Sequence, residues 1–382
     1  MKKKIIFITG TRADYGKLKS LMKSADANEN FECYIFVCGM HLLHQYGNTY
    51  NGIINEGYKN VHIARGIIYS SDMSINLGNT ITYLTGYVKD IVPDMIIVHG
   101  DRIDALAGAI VGALNNIWVS HIEGGEISGT IDESIRHAVS KFAHFHFVAN
   151  DEAANRLIQL GEKKDNIFVI GSPDIDVMLS SNLPDLAEVK RWYKLRFDKY
   201  AIMLYHPVTT EVAKLTEKVE ALMNALKETK RKYVIIYPNN DTGTEVIISN
   251  IEKVRATEYF EVYKTLKFEY FLTLLKNADF IIGNSSAGIR EACVYGIPAI
   301  DIGTRQKNRY DVNVLKNILH CGESKEEILG AINKISEERF QAPSNVFGKG
   351  NTTELFMNII LQSELWDREM QKHFIDTESP TQ

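Results

Sequence analysis

The sequence predicts an α/β protein of two doubly wound parallel sheets facing each other across a cleft. Three observations carry this. Short apolar runs alternate with amphipathic helical stretches along the whole chain, as expected for strands buried on both faces. The alternation weakens once, near residues 171–198. At 382 residues the chain exceeds one ordinary core and suits two domains of about 150–200 residues.

In the first half the apolar runs are KIIFIT, CYIFVC, MIIVHG, IWVSHI, HFHFV and NIFVIG. In the second they are YAIMLYHP, YVIIYP, YFEVY, DFIIG and IPAIDIG. Helical stretches such as YGKLKSLMKSA, DALAGAIVGALNN and VEALMNALKE lie between them. GSPDID reads as a loop entering a helix, with Pro173 suited to a first helical position, and SSNLPDL reads as a connector. The domains are therefore placed at 1–172 and 173–350. A long helix is expected over about 351–373, packing back on the first domain, and DTESPTQ as a frayed tail.

Hydrophobic residues make up 45% and charged residues 24%, the balance of a water-soluble globular chain. A net charge of −5 without a basic run argues against nucleic-acid or membrane partners. The start, MKKKIIFITG, has too short an apolar run for a signal core, and no stretch has membrane-spanning length. Cys33, Cys38, Cys293 and Cys321 lack CxxC spacing, as expected of free thiols in the cytoplasm.

Ligands of doubly wound sheets bind beyond the C-terminal strand ends, so the polar residues there are the candidates. TGTRADYG follows the first run. It lacks GxGxxG, which disfavours a dinucleotide cofactor, and offers Arg12 beside a backbone able to approach a phosphate. VHGDR places Asp101 and Arg102 where a strand gives way to a helix; Asp101 is either an N-cap or a substrate-facing carboxylate. HIEGGEISGTIDESIRHA places Glu123 at a strand end, with Glu133 and Arg136 spaced i,i+3 on the next helix and able to pair there. Asp101, Glu123 and Glu133 converge on one sheet edge, and clustered carboxylates suit proton transfer.

In the second half, His206 ends a strand ahead of a helix start at Thr209 or Thr210. Asn239 and Asp241 end another, and Arg305 follows a third. GNSSAGIREA brings Ser285 and Ser286 to the start of a short helix, a natural anion seat, with Glu291 placed to accept from a ribose diol. The plainer alternative is that the serines only cap the helix. His144 and His146 alternate in AHFHF without a third ligand at metal spacing, so packing or hydrogen bonding is expected of them, and no metal.

Together TGTRADYGKL, VHGDR, HIEGGEISGTIDESIRHA, HPVTTE, PNNDTG, GNSSAGIREA and DIGTRQ resemble the UDP-N-acetylglucosamine 2-epimerase family across nearly the whole chain. SGTIDESIRHAVSKFAH and HPVTTE resemble its hydrolysing branch, which feeds sialic-acid synthesis, in the single-function bacterial form. The resemblance implies a GT-B fold of two Rossmann-like domains with a UDP-sugar between them. It implies that Ser285 and Ser286 hold the diphosphate, Glu291 the ribose and Leu266 the uracil. Arg12, Arg102, His206, Asn239 and Arg305 match other nucleotide-contacting positions. Asp101, Glu123, Glu133 and His206 match residues linked to catalysis. A homodimer or homotetramer is implied, with no cofactor. The animal enzyme's feedback site has basic residues where this chain has Glu245 and Thr265, so that control is not expected here.

The implied reaction is loss of UDP from C1 and of the proton from C2, giving a glycal, then hydration to N-acetylmannosamine. Rival readings are the non-hydrolysing epimerase, a hydrolysing epimerase for a 2,4-diacetamido-6-deoxy sugar, a retaining glycosyltransferase and a non-catalytic nucleotide-sugar sensor.

Overall fold

A computed structural model describes residues 2–70, 72–128, 131–238, 241–307, 309–337 and 343–376. The chain divides into two compact units, Met1–Glu126 with Ile131–Leu179 and Val346–Gln382, and Ile127–Thr130 with Ser180–Asn345.

The first unit is a seven-stranded parallel sheet. Its strands are β1 (Lys3–Thr9), β2 (Phe31–Val37), β3 (Val61–Ile63), β4 (Met95–His99), β5 (Trp118–Ile122), β6 (Phe145–Val148) and β7 (Ile167–Val169), in the order β3-β2-β1-β4-β5-β6-β7. Successive side chains of a strand point to opposite faces, and β1 fills both. Ile5 and Phe7 join a cluster with Leu18, Leu21, Ile35 and Phe356; Ile6 and Ile8 join another with Phe36, Leu84, Val98 and Ala109.

The helix Arg12–Ala27 opens with a reciprocal cap. Thr11 Oγ1 accepts from the Asp14 N–H, and the Asp14 carboxylate accepts from the Thr11 N–H. The helix Pro173–Met178 starts on its proline and packs against Arg12–Ala27 and against a helix at Thr352–Ile360. Those contacts carry the first unit through Leu179, beyond residue 172.

The long helix expected over 351–373 is instead two short ones, Thr352–Ile360 and Ser363–Trp366. Gln362 is extended and breaks the run, and Trp366 Nε1–H donates to the Ile360 carbonyl at the break (3.0 Å). Beyond it the chain continues without helix, and Lys372 Nζ donates to the carbonyls of Ser140, Lys141 and Ala143 and to Glu162. A cation is thus placed on the C-terminal carbonyls of the helix Ile131–Phe142.

The second unit is a six-stranded parallel sheet of β8 (Ala201–Leu204), β9 (Tyr233–Ile236), β10 (Phe260–Tyr263), β11 (Ile281–Gly283), β12 (Ala299–Ile302) and β13 (Ile318–Cys321), ordered β10-β9-β8-β11-β12-β13. This is the 3-2-1-4-5-6 order of doubly wound nucleotide-binding sheets. The helix expected from Thr209 or Thr210 begins later, as a single turn at Val212–Lys214 continuing into Leu215–Glu228. Cys33, Cys38 and Cys293 are buried, Cys321 partly so, and no disulfide joins them. Among the described residues no helix is long and apolar enough to cross a membrane.

Candidate active site

Each sheet reverses its strand order once, between β1 and β4 and between β8 and β11. Most of the candidates surround those two points.

In the first unit Arg12 follows β1 as the first residue of its helix. The loop before it is less open to an anion than its sequence implies. The N–H groups of Gly10 and Thr11 both donate to Asp14 (3.0 and 3.1 Å), which also accepts from Thr9 Oγ1 (2.6 Å). Arg12 therefore offers its guanidinium, while those two amides are already engaged. Beneath the loop lies Asp104, against Cys38 Sγ (3.5 Å). Burial, reinforced by the Asp14 charge, pushes its carboxyl up to about 6. Gly10 is required here: a Cβ would run into the Asp104 carboxylate.

Asp101 and Glu123 follow β4 and β5, which are neighbours in the sheet. Asp101 stands one residue before the N-cap of the next helix, Arg102. Its carboxylate accepts from Arg136, which also donates to the Glu126 carbonyl (3.2 Å). The backbone just before it is fixed from behind. Gly100 N–H donates to the Ile122 carbonyl (3.0 Å), and His121 Nε2 lies 2.8 Å from the Gly100 carbonyl. A carbonyl only accepts, so the proton sits on Nε2, and His121 Nδ1 accepts from Ser140 Oγ (3.0 Å). Burial holds His121 neutral, down to about 3.

Glu123 adopts a left-handed backbone (φ 62°), rare for a side-chain-bearing residue. The turn aims its buried carboxylate at Ser172, whose hydroxyl donates to it, with His99 Nε2 at 3.1 Å and Lys17 Nζ at 3.8 Å. Lys17 also pairs with the buried Asp174 (3.2 Å). Glu133 lies further out on the helix Ile131–Phe142, half-exposed, with His137 one turn on at 3.7 Å. Asp101 and Glu123 thus sit on adjacent strand ends, and Glu133 is in the first turn of the helix that follows β5. His144 and His146 make hydrogen bonds, to the Val119 N–H (3.0 Å) and with Glu162 (3.0 Å).

In the second unit His206 follows β8 and is buried. Ser285 follows β11 and caps a single 3-10 turn, Ser286–Gly288, through the Ala287 N–H (3.3 Å). The helix expected from Ser285 is therefore this turn, and the α-helix proper, Glu291–Tyr295, begins on the buried Glu291. Arg305 follows β12, and its guanidinium donates to the Asn284 carbonyl (3.2 Å). Leu266 is buried between β10 and the helix Phe268–Lys276, where the Lys267 N–H donates to the Tyr193 hydroxyl (2.9 Å). Asn239 lies outside the described residues.

Lys17, His99, Ser172, Asp174 and Asn284 are additions the sequence reading missed. His99 ends β4 and Ser172 follows β7, so the strand-end rule applied at every strand would have reached both. Lys17, one turn past Arg12, carried no signal of its own.

The sequence profile of the UDP-N-acetylglucosamine 2-epimerase family matches residues 23–361. The UDP-N-acetylglucosamine 2-epimerase of Neisseria meningitidis is 46% identical over 378 residues, covering 98% of this chain and 99% of that protein. This chain belongs to the UDP-N-acetylglucosamine 2-epimerase family. A further member, the UDP-N,N'-diacetylbacillosamine 2-epimerase (hydrolyzing) of Legionella pneumophila, is 33% identical, covering 96% of this chain and 99% of that protein. The solved UDP-GlcNAc 2-epimerase of Methanocaldococcus jannaschii, in complex with UDP-GlcNAc and UDP, superposes with a TM-score of 0.80 at 20% identity, covering 94% of this chain and 99% of that one. The family fold is GT-B, and the two parallel α/β units seen here are its two Rossmann-like halves.

Proposed function

We propose that the protein is a hydrolysing UDP-N-acetylglucosamine 2-epimerase, converting UDP-GlcNAc and water to UDP and N-acetylmannosamine. The observation that carries this reading is the pair of carboxylates on adjacent strand ends, Asp101 beside Arg136 and Glu123 beside Lys17, the latter shared with Asp174. The near relative from Neisseria supports the substrate.

A nucleotide sugar makes two demands in one molecule. Its diphosphate must be held as it leaves C1, and a proton must be taken from C2. The second unit supplies groups for the first demand: the hydroxyls of Ser285 and Ser286, with Arg305 and His206, while Glu291 suits the ribose and Leu266 the base. By resemblance to the family, Arg12 and Arg102 are also assigned as nucleotide-contacting residues. Asn239 belongs to the same nucleotide-contacting set.

Asp101, Glu123 and Glu133 are assigned to the second demand. One carboxylate takes the C2 proton as the C1–oxygen bond breaks, giving the 2-acetamidoglucal and UDP. A carboxylic acid then returns a proton to the opposite face of C2 while water adds its hydroxyl to C1. Lys17 and His99 lie beside the Glu123 carboxylate, and Ser172 donates to it, in a nearly dry site.

Proton NMR of the enzyme with UDP-GlcNAc in deuterated buffer tests this reading. Free N-acetylmannosamine carrying one deuterium at C2 is expected. Product without deuterium would overturn the elimination, and UDP-ManNAc in place of the free sugar would overturn hydrolysis. The Legionella relative favours a second substrate, the UDP-2,4-diacetamido-6-deoxy sugar; comparing kcat/KM for the two sugars separates them. The reading also places the enzyme in the cytoplasm as a homodimer or homotetramer.

A further inference from the structure

Asn284 occupies an unusual place in the second unit. Gly283 forms the last rung of the β11–β8 ladder, opposite Leu204. Its φ of 141° swings the chain away, and a Cβ there would strike the Leu204 carbonyl. The ladder nevertheless continues. Asn284 N–H donates to the Leu204 carbonyl (3.3 Å), and its side chain then takes over. Asn284 Oδ1 accepts from the His206 N–H (2.7 Å), and Nδ2 donates to the His206 carbonyl (2.8 Å). A primary amide carries donor and acceptor side by side, as a peptide group does, so this side chain is one more rung. The orientation is fixed, because the His206 N–H needs an acceptor and its carbonyl a donor.

The Asn284 carbonyl is used as well. It accepts from Arg305 Nη1 (3.2 Å) and from Gln306 Nε2 (2.7 Å). Asn284 is 1% exposed and Gln306 wholly buried, so neither reaches a ligand. One buried residue therefore joins the ends of β8, β11 and the segment after β12.

We propose that Asn284 is a positioning residue that sets His206 through its side-chain amide and Arg305 through its carbonyl, so that both address the same nucleotide. This rests on the reading of His206 and Arg305 as nucleotide-contacting groups. Alanine at 284 removes the side-chain hydrogen bonds to the buried His206 N–H and carbonyl. Aspartate keeps the acceptor but sets a carboxylate oxygen against the His206 carbonyl.

A double-mutant cycle of Asn284→Ala and His206→Ala tests it, with kcat and KM for UDP-GlcNAc, UDP affinity by calorimetry and Tm measured for all four proteins. Asn284→Ala is expected to lower kcat/KM by about 100-fold when His206 is present and by less than about 5-fold when it is absent. Equal losses on both backgrounds, or a lowered Tm with unchanged kcat/KM, would overturn the proposal. Should Asn284→Ala not fold, Asn284→Asp carries the same cycle. If the wild type fails to turn over UDP-GlcNAc, the activity reading falls, and the cycle in UDP affinity still tests the coupling.

Discussion

Lys17 Nζ lies 3.2 Å from the carboxylate of Asp174, and that carboxylate is wholly buried. The same ammonium is 3.8 Å from Glu123, so one cation serves two acids. Removing one partner of a buried pair strands the other charge. Lys17→Met alone, which strands Asp174, is expected to cost about 3–5 kcal/mol, and Asp174→Leu less, because Lys17 keeps Glu123. The double variant, with no stranded charge at 174, recovers most of that in thermal unfolding. It does not recover turnover, because Glu123 has still lost its cation.

Arg136 is expected to matter through Asp101. Its guanidinium reaches both the Asp101 carboxylate and the Glu126 carbonyl, which a single ammonium does not span in the same way. Arg136→Lys should therefore behave nearly as badly as Arg136→Met, lowering kcat by roughly 100-fold. UDP affinity should change by less than about threefold. Equal losses in kcat and in UDP affinity would contradict this division of labour.

Buried histidines set an acid limit. Burial lowers His41 to about 4, His121 to about 3 and His144 to about 4, from an ordinary 6.5. A depressed folded value means stability is fully present above 6.5 and is lost as pH falls toward 4 and 3. Unfolding near pH 5 should consequently take up about three protons on their account. The denaturant midpoint measured from pH 8 to pH 4 checks the slope; a flat profile over that range is the contrary result.

Asp104 acts in the opposite sense. Its folded value is raised to about 6 from 3.8, so its contribution is present below 3.8 and lost as pH rises through 6. Asp104→Asn is expected to stabilise the protein by about 1–3 kcal/mol at pH 7.5 and to make little difference at pH 4. Comparing Tm with wild type at the two pH values isolates this group from the histidines.

Replacing Glu123 separates chemistry from binding. Glu123→Gln keeps the shape and can still accept from Ser172, but it cannot take a proton. UDP affinity should stay within about threefold of wild type while turnover falls by at least about 100-fold. Near-normal turnover would remove Glu123 from the catalytic set.

Much of the fold was legible because central strands of a parallel sheet are buried on both faces and read as unbroken apolar runs. The two strands that were not legible, β3 (VHI) and β13 (ILHC), lie at sheet edges. Each is short and only partly buried, and a histidine (His62 or His320) interrupts its apolar residues, so the signal fades. The C-terminal helix was overread for a different reason. Its apolar spacing runs on past Ile360, but Gln362 and the Trp366 indole break it by local geometry that spacing does not encode. At the candidate site, the strand-end rule reaches Arg12, Asp101, Glu123, His206 and Ser285, because topology alone decides what lies beyond a strand. It does not reach Lys17 with Asp174 or Asn284 with His206. Those pairs join residues more than 70 positions apart, and nothing in the local pattern of either partner names the other.

The discontinuity of the first unit bears on the order of synthesis. Phe356 packs against Phe7 and Phe147, with ring centroids 6.5 and 4.9 Å apart, yet Ser180–Asn345, the bulk of the second unit, is made between Leu179 and Phe356. At about 5–20 residues per second the ribosome needs roughly 10–35 s for that stretch. Throughout it, the apolar face that Phe356 later covers stays open on the nascent chain. The second unit is complete first, although it comes later in the sequence. Expression hosts that translate quickly, or that supply a holdase for that interval, should therefore return more native enzyme than the composition of the finished protein would lead one to expect.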